Sequence, residues 1–382
     1  MELDVCVLPG DGVGPSVTEA ALRVMEAVST RFGHRLTTKE APIGWAAVQA
    51  AGSPLPERTL RLCLEADAVL LGAVGDPAAA DVPAERRPEA GLLRLRRELG
   101  VWANLRPVRV RPGLADRSPL RRELAEGLDV VVVRELGGGL YYGEPRGSAG
   151  EAGDAVNTMR YGAEEVRRVA RVAFDLAEAR GGGVTSVDKA NVLEVSALWR
   201  RTVGEVASRY PEVPCRDLLV DRAAMDLLLE PDRFDVVLTS NLFGDVLSDE
   251  LAGIAGSIGL LGSASLGDGP GLFEPVHGSA PDLEAGTANP VGAIASAAML
   301  LRHAGGLERE ARAVEDAVDA ELDDGVLPAD LAGEDATAAT TRSFAEAVAR
   351  RVARAGGGHP EKSETDGGPE TTTDNQEPGG TG

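Results

Sequence analysis

Two aspartates, Asp245 and Asp249, stand four residues apart in NLFGDVLSDE, a spacing that puts both carboxylates on one face of a helix. Two hard oxygen donors can share a divalent cation. Asp221, read as closing the apolar strand RDLLVD, can join them around Mg²⁺ or Mn²⁺ with positions left for substrate and water. An isolated DxxxD more often marks ordinary solvated acids at a helix start. Arg96, Arg106 and Arg134 lie in or beside the apolar segments LLRLRRELG, ANLRPV and VVVREL, where a guanidinium drawn out of water needs an anion. Guanidinium forks take carboxylates in bidentate fashion, so three of them suit a substrate with more than one carboxylate. Internal ion pairs with some of the 61 acidic residues would satisfy them equally. Lys189, in VDKANV, is one of only three lysines, with Lys39 and Lys362, among 39 basic residues. Arginine does not give up its proton, whereas a desolvated lysine can serve as a base. Tyr141, in GGLYYGE, can donate a proton, although a lone tyrosine is more often a packing residue.

These residues need elements to hold them. Residues 3 to 9 read as a buried strand, the glycines at 10, 12 and 14 as a turn, and Val17 to Val28 as an amphipathic helix. DAVLLGAVG at 67 to 75 repeats the strand and turn, and a short helix follows at Leu92 to Leu99. Further strands are expected at 128 to 136, 183 to 192, 216 to 221 and 234 to 241, with helices over Glu164 to Arg180 and Ser196 to Tyr210. Alternation of this kind means α/β. GGGLYYGEPRG and the residues after it read as a glycine-punctuated hairpin or arm. In GDGVGP the glycines follow the pattern GxGxG and then proline, which supports a tight turn rather than the GxGxxG dinucleotide fingerprint. From Ala355 the composition turns to Gly, Pro, Thr, Glu and Asp, so an acidic, disordered tail is expected over 355–382.

Composition excludes several classes of function. Aromatics make up 3% of 382 residues and the formal charge is −22, so neither stacking platforms nor a basic surface is offered to nucleic acid. No apolar run approaches the roughly 20 residues that cross a bilayer, and the start lacks a signal-peptide pattern, so no membrane partner and a cytoplasmic location are expected. Cys6, Cys63 and Cys215 form no disulfide framework, and four scattered histidines form no zinc motif, so a metal would be held by carboxylates.

Taken in order, LPGDGVGP, LLRLR, ANLRPV, VVRELGGGLYYGEPRG, VDKANVLEVSALWR, NLFGDVLSD and EPVHGSAPDLEAGTANP resemble the isopropylmalate and isocitrate dehydrogenase family over roughly residues 3 to 350. The resemblance implies that family's two-lobed α/β fold, which is not a Rossmann fold, with a discontinuous sheet shared between lobes and the active site in the cleft. The larger, cofactor-binding lobe would comprise 1–102 and 255–352, and a smaller dimerising lobe 103–254. It also implies a homodimer whose sites borrow residues across the interface. By matching motifs, Arg96, Arg106 and Arg134 would clamp the malate carboxylates, and Asp221, Asp245 and Asp249 would hold Mg²⁺ or Mn²⁺. Lys189 would be the base, supplied with Asp221 from the partner, and Tyr141 the acid that protonates the enol. Asn191 would lie near substrate and nicotinamide, and Glu89, Leu92 and Leu93 would meet the substrate's side group. Two leucines favour an isopropyl group over a carboxylate arm. Glu274, His277, Gly278, Ser279, Ala280, Asp282 and Asn289 would line the cofactor site, where the charge of Asp282 favours NAD over NADP. The reaction implied is oxidative decarboxylation of 3-isopropylmalate to 4-methyl-2-oxopentanoate in leucine biosynthesis, or of a related substituted malate or tartrate.

Overall fold

The structure is a computed structural model that describes residues 1–149, 153–333 and 337–354; the tail expected over 355–382 lies outside the described residues. The strands are β1 (Glu2–Gly10), β2 (Arg35–Glu40), β3 (Ala68–Ala73), β4 (Val101–Arg109), β5 (Asp129–Glu135), β6 (Gly147–Ala149), β7 (Asp154–Val156), β8 (Val184–Asp188), β9 (Cys215–Leu219), β10 (Val236–Thr239), β11 (Gly262–Gly267) and β12 (Gly271–Pro275). The first helices are α1 (Gly14–Phe32), α2 (Gly44–Ala51), α3 (Glu57–Glu65), α4 (Pro88–Glu98), α5 (Arg122–Ala125) and α6 (Ala163–Arg180). They are followed by α7 (Glu194–Ala207), α8 (Val220–Leu229), α9 (Asn241–Ile254), α10 (Val291–His303), α11 (Glu308–Asp323) and α12 (Thr341–Arg354).

Ten of these strands form one sheet, in the order β2-β1-β3-β12-β11-β4-β5-β10-β8-β9. Its outer parts are parallel, and its middle is antiparallel where β11 pairs with β12 and β4, and β4 with β5. The expected discontinuity is therefore absent from the hydrogen bonding, because β4 pairs on both sides. The expected lobe boundary between residues 102 and 103 falls inside this strand. All six residues of β3, AVLLGA, are buried, as a parallel strand covered by helices on both faces requires. In α1, Val17, Ala20, Ala21, Val24 and Val28 make a buried stripe, and Gly33 ends the helix at φ +71°. The scarce aromatics are used inside: Trp199, Phe174, Phe273 and Phe344 are among the largest fully buried side chains.

Two local expectations change. The strand expected over 183 to 192 ends at Asp188, so Lys189 opens a turn whose carbonyl accepts the Val192 N–H at 3.0 Å. Asp221 does not close a strand; it lies in the first turn of α8, where the helix dipole favours a carboxylate. In GDGVGP the Asp11 carboxylate accepts N–H groups of Trp45 and Ala46 at the start of α2 and of Gly75, at 2.8 to 2.9 Å. At the start of α1 itself the Gly14 N–H donates to the Asp11 carbonyl and the Val13 N–H to the Ser279 carbonyl, both at 2.9 Å, in agreement with a tight turn rather than a pyrophosphate cradle. The expected arm is present as the antiparallel pair β6 and β7.

Candidate active site

The C-terminal ends of β5, β8 and β10 lie side by side, and parallel strands present ligand sites at such ends. Arg134 leaves β5 there and runs onto α9, which starts directly after β10. One face of α9 carries Asn241, Gly244, Asp245, Ser248 and Asp249, spaced as a helical stripe. Asn241 Oδ1 accepts Arg134 Nε at 3.0 Å and Nη2 at 2.7 Å, while Nη1 pairs with Asp245. Gly244 leaves room for the arginine stem, since a Cβ there would lie 2.7 Å from Arg134 Cγ. Arg106, on β4, donates to Ser248 Oγ at 2.7 Å and to Asn104 Oδ1 at 2.8 Å, and its Nη1 lies 3.2 Å from Asp245 and 3.6 Å from Asp249. Tyr141 donates its phenol proton to the second oxygen of Asp245.

Arg96, on α4, pairs at 2.6 Å with Glu274 of β12, and its Nε is buried without a partner. The structure therefore gathers Arg106, Arg134, Tyr141, Asp245 and Asp249, with Arg96 held beside them by a carboxylate that the sequence assigned to the cofactor. Burial alone would raise the Asp245 pKa, but the guanidiniums of Arg134 and Arg106 override it and hold the carboxyl below its ordinary value. Burial, with repulsion from Arg106, brings Arg134 down to about 10. Burial and the adjacent Asp245 raise the Tyr141 phenol, which keeps it a proton donor at neutral pH. Asp249 is raised by burial and accepts no hydrogen bond among the described residues.

Lys189 and Asp221 form a different corner. They are ion-paired with each other, and Asp221 is 62% exposed. Asn191 is exposed and makes no side-chain hydrogen bond among the described residues. Bare apolar side chains lie on the same elements: Val192, in the turn that Lys189 opens, is 70% exposed, Met225 and Leu229, four and eight residues after Asp221 on α8, are 43% and 57% exposed, and Val246 of the neighbouring α9 is 59% exposed. Among the described residues no three His, Cys, Asp or Glu side chains gather around one point, so Asp221 does not join Asp245 and Asp249 within one chain. The donor chemistry still suits a hard cation. Asp245 and Asp249 share a helix face, Asp249 is held only by its 3.6 Å ion pair with Arg106, and Asp221 has no partner but a lysine.

On the cofactor side, Ser279 O accepts the Val13 N–H at 2.9 Å, which brings the loop 277–282 against the GDGVGP turn. Gly75 lies between Ser279 and Glu89: a Cβ on it would be 3.4 Å from Ser279 Oγ and 3.6 Å from Glu89 Oε1. Ala280 adopts φ +41°, a strained left-handed backbone that bends this loop. His277 contacts the Gly278 carbonyl through Nδ1 at 2.8 Å, leaves Nε2 buried without a partner, and has its pKa lowered by burial. Gly278 and Asp282 are exposed. Asn289 is committed to the chain, accepting the Val291 N–H at 3.0 Å and donating to Asp330 at 3.1 Å. Of the side-group residues, Leu92 packs partly against a core cluster, and the Leu93 carbonyl faces Tyr142 Oη at 3.4 Å. Sequence reasoning missed Asn104, Asn241, Gly244 and Ser248; the helical spacing of the last three with Asp245 and Asp249 was the available signal.

The isocitrate/isopropylmalate dehydrogenase family model matches residues 4–348. A 3-isopropylmalate dehydrogenase of Halalkalibacterium halodurans is 51% identical over 356 residues, covering 92% of this chain and 98% of that one. Another from Anaeromyxobacter dehalogenans is 52% identical over 357 residues, covering 92% and 100%. The crystal structure of isocitrate dehydrogenase from Methylococcus capsulatus superposes with a TM-score of 0.82 at 34% identity, covering 92% of this chain and all of that one. With a family model matching residues 4–348 and relatives just over 50% identical across nine-tenths of its length, the chain belongs to the isocitrate/isopropylmalate dehydrogenase family.

Proposed function

We propose that the chain is a NAD-dependent 3-isopropylmalate dehydrogenase, converting 3-isopropylmalate to 4-methyl-2-oxopentanoate in leucine biosynthesis. Relatives just over 50% identical across nine-tenths of the chain carry that name. The observation that carries the chemistry is the convergence of Arg106 and Arg134 on Asp245 and Asp249, with Arg96 close by, so that cations for a dicarboxylate and acids for a cation meet at one place. The substrate carboxylates take the guanidinium faces of Arg96, Arg106 and Arg134, and Leu92 and Leu93 meet the isopropyl group with Glu89 at its edge. Lys189 takes the proton of the C2 hydroxyl with Asp221 beside it, and Asn191 lies near the reacting carbons. Tyr141, protonated at neutral pH, delivers a proton to the enol once carbon dioxide has left.

Asp221, Asp245 and Asp249 are the residues that would hold Mg²⁺ or Mn²⁺, and Glu274, His277, Gly278, Ser279, Ala280, Asp282 and Asn289 those that would meet NAD. When bound, the cation polarises the substrate oxygen and the nicotinamide accepts hydride. Asp282, exposed and anionic, suits free ribose hydroxyls and repels a 2′-phosphate.

The Lys189 and Asp221 corner completes the site of a second copy. Its support is the apolar surface of Val192, Met225, Leu229 and Val246 beside it, the kind of surface a homodimer buries. In this reading 1–102 and 255–352 form the cofactor-binding lobe and 103–254 the dimerising lobe. A cytoplasmic location fits the reaction, and no helix among the described residues is long and apolar enough to cross a membrane. The test is NADH formation from 3-isopropylmalate with Mg²⁺, against malate, tartrate, isocitrate and a chelator control. Metal-dependent turnover of 3-isopropylmalate is expected; turnover of another diacid alone would overturn the substrate.

A further inference from the structure

Asn241 has no charge and no chemistry of its own, yet all the polar atoms of its side chain are used and it is 1% exposed. Its Oδ1 sits in the notch between Arg134 Nε and Nη2, at 3.0 and 2.7 Å. Its Nδ2 donates to the carbonyls of Leu136 and Gly138, both at 3.1 Å, which fixes which end of the amide faces the arginine. Its backbone N–H donates to Tyr161 Oη at 2.9 Å, and that ring stands edge-on to the buried Trp199. The residue is therefore anchored at three points, two on its side-chain amide and one on its backbone, before it meets Arg134.

We infer that Asn241 is a positioning residue: it grips the Nε and Nη2 edge of the Arg134 guanidinium so that Nη1 and the second N–H of Nη2 face Asp245 and the substrate carboxylate. An arginine side chain carries large rotamer freedom, and a fork left to find its own angle loses the geometric part of bidentate recognition. Gly244 supports this reading by letting the arginine stem lie flat on α9. The inference rests on the proposed role of Arg134 as a carboxylate clamp.

The test is a cycle of Asn241→Ala, Arg134→Lys and the double variant, reading 3-isopropylmalate affinity by calorimetry and steady-state KM and kcat. Asn241→Ala is expected to weaken substrate affinity and raise its KM about tenfold, with the NAD KM unchanged. In the Arg134→Lys background, which lacks the fork, Asn241→Ala should add less than about twofold. Equal losses in both backgrounds, or wild-type affinity in Asn241→Ala, would overturn the inference. If Asn241→Ala does not fold, Asn241→Ser, too short to span to Arg134 but still able to hydrogen-bond locally, carries the same cycle. The Arg134 Nε–H resonance, identified by its loss in Arg134→Lys, separates this claim from the reaction itself. A shifted, faster-exchanging signal in Asn241→Ala supports positioning even if wild type fails to oxidise 3-isopropylmalate, whereas an unmoved signal contradicts it.

Discussion

The two halves of the proposed chemistry are built differently. Around α9, Arg134 is 1% exposed, and its polar partners Asn241 and Asp245 are fixed on one helix of the same chain. At the start of α8, Asp221 is 62% exposed, answers only to Lys189, and is bordered by bare apolar side chains. Three arginines near one point repel one another, and burial lowers the pKa of Arg106 and Arg134, so that cluster survives only because Asp245, Asn241, Ser248 and Glu274 compensate it. The lysine corner needs no such compensation within the chain. The contrast teaches that, under the proposed assignment, the carboxylate clamp is preorganised within one chain, while the proposed base stands at a surface that this chain leaves open.

Substitutions can break the comparison from either side. Lys189→Met should lower kcat by about a thousandfold or more, the scale of a lost general base, while the melting temperature barely moves because the residue stands at an open corner. A melting temperature several degrees lower would show the corner to be structural. Asp245→Asn should lower kcat/KM by about a hundredfold and also destabilise the metal-free chain by a few kcal/mol, since two buried guanidiniums lose their counter-charge. Denaturant unfolding with and without Mg²⁺ measures the second effect, and wild-type stability would remove the compensation argument. Leu92→Ala should lower kcat/KM for 3-isopropylmalate about tenfold relative to malate, the scale of lost methyl contacts in a pocket. An unchanged ratio of the two substrates would take Leu92 out of the specificity pocket.

The smallest effect is one of pH. Burial lifts the Glu135 pKa to about 7 in the fold, against 4.5 as the ordinary value, although the Gly137 and Gly138 N–H groups oppose the shift. The folded chain then holds a proton that the unfolded chain has lost, so stability falls as pH rises from about 4.5 to about 7. Glu135→Gln should flatten that part of the stability profile; an identical slope in the variant would mean that Glu135 ionises normally.

Parallel strands buried on both faces were legible as unbroken apolar runs, as in AVLLGA and DVVVV, whereas the parallel edge strand β2, RLTTKE, with no buried residue, was not. The middle was not. In β4, β11 and β12 the buried residues include Asn104, Arg106, Ser263, Ser265 and Glu274, which satisfy one another, as when Asn104 Nδ2 meets Ser265 Oγ at 3.0 Å. A periodicity search counts such residues as exposed and passes over the strand. The charged members of the site were visible by type and by motif. Asn241 and Ser248 were hidden because their role lies in orienting a neighbour, which no residue type announces. The pairing of Arg96 with Glu274, 178 residues apart, could come only from the fold.

The most direct test of the shared site is complementation. Lys189→Met and Asp245→Asn chains, each inactive alone, should on co-expression regain about a quarter of wild-type activity, because half of random dimers then contain one site free of both changes. A mixture as inactive as its parents, with mixed dimers demonstrated by mass spectrometry, would contradict the account and place Lys189 and Asp245 in the site of a single chain.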